Sequence, residues 1–164
     1  MINHGDPLKA LRTIPIQLRR FFVEAFQSFV FNQTVSKANE FGEDLLQPHQ
    51  GDVCFDKDDN LGRYQNDLQQ RLTVPLVGYS YSKKNRFDSF VSQILTEQQI
   101  TPKDFFVKDM QEASEEGGFR QAIMSCKDFL IKEPYIDFTL SRGSYATILL
   151  REIMKPSDPI DAGF

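Results

Sequence analysis

Three stretches of this chain combine residue types that could bind a charged or aromatic partner. Arg142-Gly143-Ser144-Tyr145 falls where an alternating apolar run gives way to a helical pattern. Backbone N–H groups at a helix start face whatever lies before them, and a glycine lets another group approach closely. On spacing alone, Tyr145 reads as a core residue of the first helical turn ahead of a ring that caps a pocket. Arg19-Arg20 and Lys83-Lys84 with Arg86 are the basic clusters. Each could contact a phosphate, and Tyr79 and Tyr81 beside the second could stack on a base. A solvated helix face and a solvated loop explain the two clusters equally well.

Other chemistries find little support. Asp56, Asp58 and Asn60 imitate the first three ligand positions of a calcium loop. However, Leu61 stands where the sharp turn needs glycine, and Asp67 stands where a bidentate Glu would close the loop. A hairpin turn bonding its own backbone is the expectation. Cys54 and Cys126 lack any partner spacing, so neither a disulfide framework nor a zinc site is suggested. His4 and His49 both sit in loop-like surroundings, which leaves no Ser/His/Asp triad. No carboxylates pair in a context that would raise a pKa by burial. The expectation is a protein without metal or cofactor.

The chain has 164 residues, 40% hydrophobic and 26% charged, with 15 Phe. That reads as globular rather than disordered, and as long enough for a real core. No apolar run approaches the roughly 20 residues of a membrane span, and the first residues lack the apolar centre of a signal peptide. A cytoplasmic protein is expected. The net charge of −4 argues against a surface that is basic throughout, but leaves room for a local basic groove.

The elements that must carry these residues follow from periodicity. Pro15 can take the first position of a helix that runs to Gly42, with Leu18, Phe22, Ala25, Phe26 and Phe29 at helical spacing. Five phenylalanines between 21 and 31 predict a central helix packed on more than one side. Residues 51–55 predict a strand that turns through 56–60 and returns over 61–64. Pro75 demotes the apolar run 72–79 to an edge strand or extended loop. A helix is predicted from Arg86 to Gln99, and a helix start at Thr101-Pro102. Phe119 to Cys126 reads as extended, Ile136, Phe138 and Leu140 as one face of a half-buried strand, and Ser144 as the cap of a last helix. Helix and strand in no regular alternation predict an α+β fold.

Several of these stretches together resemble the pseudouridine synthase D (TruD) family in its archaeal form. They are the run from Arg20 to Asn32 containing AFQSFVFN, Gly51-Asp52-Val53, Pro75 to Tyr79, Gly118-Phe119-Arg120, and the run from Gly143 to Glu152 reading GSYATILLRE. Their order matches, and the likeness covers nearly the whole chain.

The resemblance implies a tRNA isomerase that converts a uridine to pseudouridine without cofactor or metal. An Asp attacks the nucleoside, the glycosidic bond breaks, and the uracil turns and rejoins through carbon. The base must be flipped out of its stack and held in a nearly dry pocket. It further implies substrate contacts from Tyr145, Ser144 and Gly143, and RNA contacts from Arg142, Arg120, Arg19 and Arg20.

The family's nucleophile lies in a Gly-x-Lys-Asp-like segment, followed by an Asn-x-Phe-Gly-x-Gln-Arg-Phe-Gly segment, both upstream of AFQSFVFN. Neither occurs here. Asn39-Glu40-Phe41-Gly42 repeats only an opening on the wrong side of the helix, and Lys103-Asp104 and Lys127-Asp128 lack the glycine. The expectation is a C-terminal portion of a longer enzyme that carries no catalytic residue of its own. Residues 1–126 would form a mainly helical inserted domain with short strands. Residues 127–164 would be a strand-helix segment returning to complete a mixed-sheet catalytic domain. The expected partners are tRNA and the missing N-terminal catalytic portion, with no membrane. A stand-alone RNA-binding or interaction module, and one half of a split enzyme, are the alternatives.

Overall fold

A short helix, α1 (Pro7–Arg12), precedes the long α2 (Ile16–Glu40). The computed structural model describes residues 5–141 and 144–163. Asp6 starts α1 by accepting the Leu8 N–H at 3.0 Å. Pro15 sits one residue earlier than its sequence suggests. It is the N-cap of α2, with φ −51° and ψ 140°, so Ile16 opens the helix. Gly42 closes it as expected. At φ 79° it lets the Gly42 N–H reach the Asn39 carbonyl (3.0 Å) and the Glu43 N–H reach the Ala38 carbonyl (2.9 Å). Those are the paired bonds of a Schellman stop.

The chain divides into two compact units, one ending at Ala122 and the other beginning at Ile123. In the first, α2 is followed by β1 (Val53–Phe55), β2 (Leu61–Arg63), β3 (Arg71–Leu76), α3 (Asp88–Glu97), two single 3-10 turns (Pro102–Phe105 and Gln111–Ala113) and β4 (Gly118–Gln121). The sheet runs β2-β1-β3-β4, antiparallel throughout.

β3 is therefore an inner strand, which corrects the expectation drawn from Pro75. β1 pairs only with Arg71 and Leu72, whereas β4 pairs with Thr73 to Leu76. At Pro75 the strand has a partner on one side only, so its missing N–H breaks no ladder.

Two apolar clusters meet along α2. Val30 packs with Val77, Val91, Ile94, Leu95 and Phe105, and Phe31 with Ala38, Leu72, Val74 and Phe87. Contact with α3 and with the sheet uses the line Gln27, Val30, Phe31, Thr34 and Ala38. The first turns are barer than the phenylalanine count predicts, with Phe21, Phe22 and Phe29 all exposed. Gln27 is buried and donates to the Val77 carbonyl at 2.8 Å, tying α2 to the end of β3. Gly78 then passes so close to the Glu116–Gly117 backbone that a Cβ would lie 2.2 Å from Glu116 C. That crossing explains why both segments carry glycine.

The second unit contains β5 (Cys126–Lys132), β6 (Tyr135–Leu140) and α4 (Ala146–Met154), with β5 and β6 paired as an antiparallel hairpin. β5 was not legible as a strand of its own. Its register shifts between Lys127 and Leu130, with Asp128 at φ 53°, which erases the alternation that marks a strand in sequence. Among the described residues, none that is buried lies in this unit. Among the described residues no helix is long and apolar enough to cross a membrane.

Candidate nucleic-acid interface

Tyr145 is the N-cap of α4, in extended conformation at φ −110° and ψ 119°. Ser144 therefore stands one residue before the cap, and no side chain bonds the first helical turn. The Tyr145 carbonyl accepts the Ile148 N–H at 3.1 Å, and the tyrosine is 68% exposed. It is not a core residue of this chain, contrary to what its helical spacing alone favours. Arg142 and Gly143 lie outside the described residues. Ile148, Ile153 and Met154 of α4 are apolar and exposed as well.

The three remaining arginines lie in the first unit and differ sharply. Arg19 is consumed by the fold. Its guanidinium bonds the Ile14 carbonyl at 3.0 Å and Glu112 at 2.5 Å, with the side chain only 14% exposed. Arg20, one residue on, is 53% exposed and lies 4.0 Å from Glu115. The acidic stretch 112–116 is thus the counter-charge of the predicted basic cluster. Glu112 is held below the usual carboxylate range by a backbone N–H and by Arg19, whereas burial and the nearby Glu24 push Glu115 up. Arg120, half-buried on β4, reaches Ser28 Oγ at 3.3 Å and lies 5.0 Å over the Phe31 ring.

The second basic cluster also divides. Arg86 is a structural hub that pairs with Glu43 at 2.8 Å and with the buried Asp52 at 3.3 Å, and donates to the Asp44 carbonyl at 2.8 Å. Its neighbours Lys83 and Lys84 are exposed. Tyr81 is half-buried and donates to Asp88, so it is not free to stack, and burial raises its pKa further above the ordinary phenol. Tyr79 is exposed and meets Phe106 edge-on with ring centroids 5.6 Å apart. Sequence reasoning missed this aromatic pair, because Tyr79 and Phe106 are far apart in the chain and only the fold brings them together.

The candidate calcium loop is a turn. The Asp56 carboxylate accepts the Asp58 N–H (2.8 Å), the Asn60 N–H (2.9 Å) and the Asn60 amide, and these bonds lower its pKa. Cys54 is fully buried, and burial beside Asp52 pushes its thiol up to about 11, which leaves it inert.

Comparison with known proteins decides the family. The model of tRNA pseudouridine synthase D (TruD) matches residues 1–153. The chain belongs to the TruD family. A relative from Pyrobaculum islandicum, named "Probable tRNA pseudouridine synthase D", is 35% identical across 97% of the chain, and a namesake from Methanococcoides burtonii is 30% identical across 92%. These matches occupy 39% and 41% of the relatives, so this TruD-family chain spans about 40% of their length. A solved structure from Methanosarcina mazei, named a candidate TruD, superposes on 96% of the chain and 43% of its own, with a TM-score of 0.78 at 24% identity. That likeness supports the α+β fold.

Proposed function

We propose that this chain is the C-terminal part of a tRNA pseudouridine synthase, and that it supplies RNA contacts and one wall of the active cleft. The observation that carries the reading is the second unit. A hairpin and a helix with no buried residue among those described present Tyr145 at an open helix start. Such a segment lacks the buried apolar surface that would offset its ordering entropy, so it is built to lie against something else. A stand-alone module would need that core within its own chain.

In the assembled enzyme the Tyr145 ring stacks on or borders the extruded uracil, with Ser144 and Gly143 beside it. Arg142, Arg120 and the exposed Arg20 contact the RNA backbone. Arg19 is left to the fold. The reaction is an isomerisation. The C1′–N1 bond breaks, a C1′–C5 bond forms, the C5 proton is lost and N1 gains one, so no cofactor or metal is called for. The nucleophilic Asp comes from a portion carrying the Gly-x-Lys-Asp segment, which these 164 residues do not contain.

The test is reconstitution. The chain alone, incubated with tRNA, yields no pseudouridine by chemical modification and primer extension. Addition of a polypeptide holding the Gly-x-Lys-Asp and Gln-Arg-Phe-Gly segments restores it. In that mixture Tyr145→Ala lowers turnover more than tRNA binding. Turnover by the chain alone, or a Tyr145→Ala variant with undiminished turnover, contradicts the proposal.

A further inference from the structure

In the first unit, the loops at 49–52 and 84–86 border an open groove of about 420 Å³, with His49, Gly51, Asp52, Lys84, Asn85 and Arg86 among its lining residues. Arg63 ties its two walls together, donating to the Gly51 carbonyl at 2.5 Å and the Lys84 carbonyl at 3.3 Å. The carboxylates nearest the groove are already engaged. Glu43 is bound to Arg86, and Asp52, only 4% exposed, takes the His49 N–H at 2.8 Å and faces Arg86 Nε at 3.3 Å. Lys84 and Arg63, by contrast, pair with no carboxylate among the described residues. Arg63, Lys84 and Arg86 therefore stand against two carboxylates, and Lys83 adds another cation beside them. At Gly51, φ 96° turns the loop, and its N–H donates to no described residue. A free ammonium and an unspent backbone N–H at one concave surface with surplus positive charge are what a phosphate group needs.

We propose that this groove binds a phosphate of the RNA backbone, with Lys84 as its mobile cation, the Gly51 N–H as a fixed donor and the Arg86 side chain in its wall. The proposal rests on the RNA-binding reading above and adds to it a contact in the first unit. Lys84 then acts as a sequence-independent anchor, since phosphate contacts position RNA without reading it.

The experiment titrates the full chain and its Lys84→Gln and Lys84→Glu variants with a tRNA transcript between about 50 and 200 mM salt. Lys84 is exposed and its side chain is unpaired, so both variants keep the wild-type thermal unfolding curve. Losing one phosphate contact lowers the slope of log K against log salt by about 0.7–0.9, with affinity weakened several-fold on transcripts of unrelated sequence. The Gly51 and Lys84 amide resonances shift with tRNA in the wild type and not in Lys84→Glu. Unchanged slopes in both variants, with wild-type binding intact, overturn the groove site and leave the functional reading standing. Gly51 and Lys84 shifts with inorganic phosphate but not with tRNA also overturn it, in favour of a free-phosphate site. A wild-type chain that binds no tRNA removes both.

Discussion

Arg86→Met is the substitution whose cost the structure defines best. Arg86 holds the loop before β1 to the loop before α3 through Glu43, the Asp44 carbonyl and Asp52. The partners are unequal. Glu43 is 31% exposed and can return to water, so its pair is worth about 1 kcal/mol at most. The Asp44 carbonyl is at the surface and can bond water instead. Asp52 is 4% exposed, and its charge would stay behind unpaired. At 3.3 Å and an effective dielectric near 20, the attraction is on the order of 5 kcal/mol, partly offset by desolvation of both ions. Breaking a pair of this kind costs about 3–5 kcal/mol. With a urea m-value of about 1.5 kcal/mol/M, the midpoint falls by about 2–3 M, read from the helical circular dichroism that α2 dominates. Asp52→Asn in the Arg86→Met background restores much of the loss, because it removes the stranded charge and keeps the shape. A loss below about 1 kcal/mol, or a double variant no more stable than Arg86→Met, refutes the assignment of the cost to Asp52.

Two further outcomes follow from burial. At about pH 8.5, iodoacetamide modifies Cys126 in the native chain and spares Cys54 until urea unfolds it, because the Cys54 thiol is protonated up to about 11. The sign of that shift means its stabilising effect is complete below the ordinary thiol value and is lost as pH rises toward 11; equal labelling rates by mass spectrometry would contradict it. In the isolated chain, amides of the β5–β6 hairpin exchange far faster than those of β3 and the middle of α2, and they slow when the complementary enzyme portion is added. Equal protection of β3 and β5 without that addition would mean the second unit is stable by itself.

Local signals in the sequence carried much of the fold. The Gly42 stop, the Asp56 turn and the start at Thr101-Pro102 were legible because each is made within a few residues. What failed to show was set by partners far along the chain. Arg19 looked like a phosphate ligand because nothing near it in sequence reveals Glu112, 2.5 Å away in space. Pro75 looked like an edge marker because its pairing depends on where β1 ends. The Gln27 bond to the Val77 carbonyl and the Arg86 hub were invisible for the same reason. Tyr145 was singled out through the GSYATILLRE resemblance, since spacing alone put its ring in the core.

That last disagreement bears on what the chain is for. A nine-residue helix that begins at an exposed tyrosine and continues through exposed Ile148, Ile153 and Met154 gains nothing from water, and an isolated hairpin is marginal at best. β5, paired only along its edge with β6, likewise leaves Phe129, Leu130 and Ile131 exposed in succession. A solvent-facing strand would alternate polar residues with these; three apolar neighbours in a row belong to a strand covered on both faces. The sequence of the second unit is therefore written for burial that its own residues do not supply. The family match, which spans about 40% of each relative, names the kind of molecule whose remaining portion would supply it. On this view the exposed Tyr145 and the exposed apolar run of β5 have one cause, and covering the hairpin is what would turn an exposed tyrosine into the wall of a closed cleft.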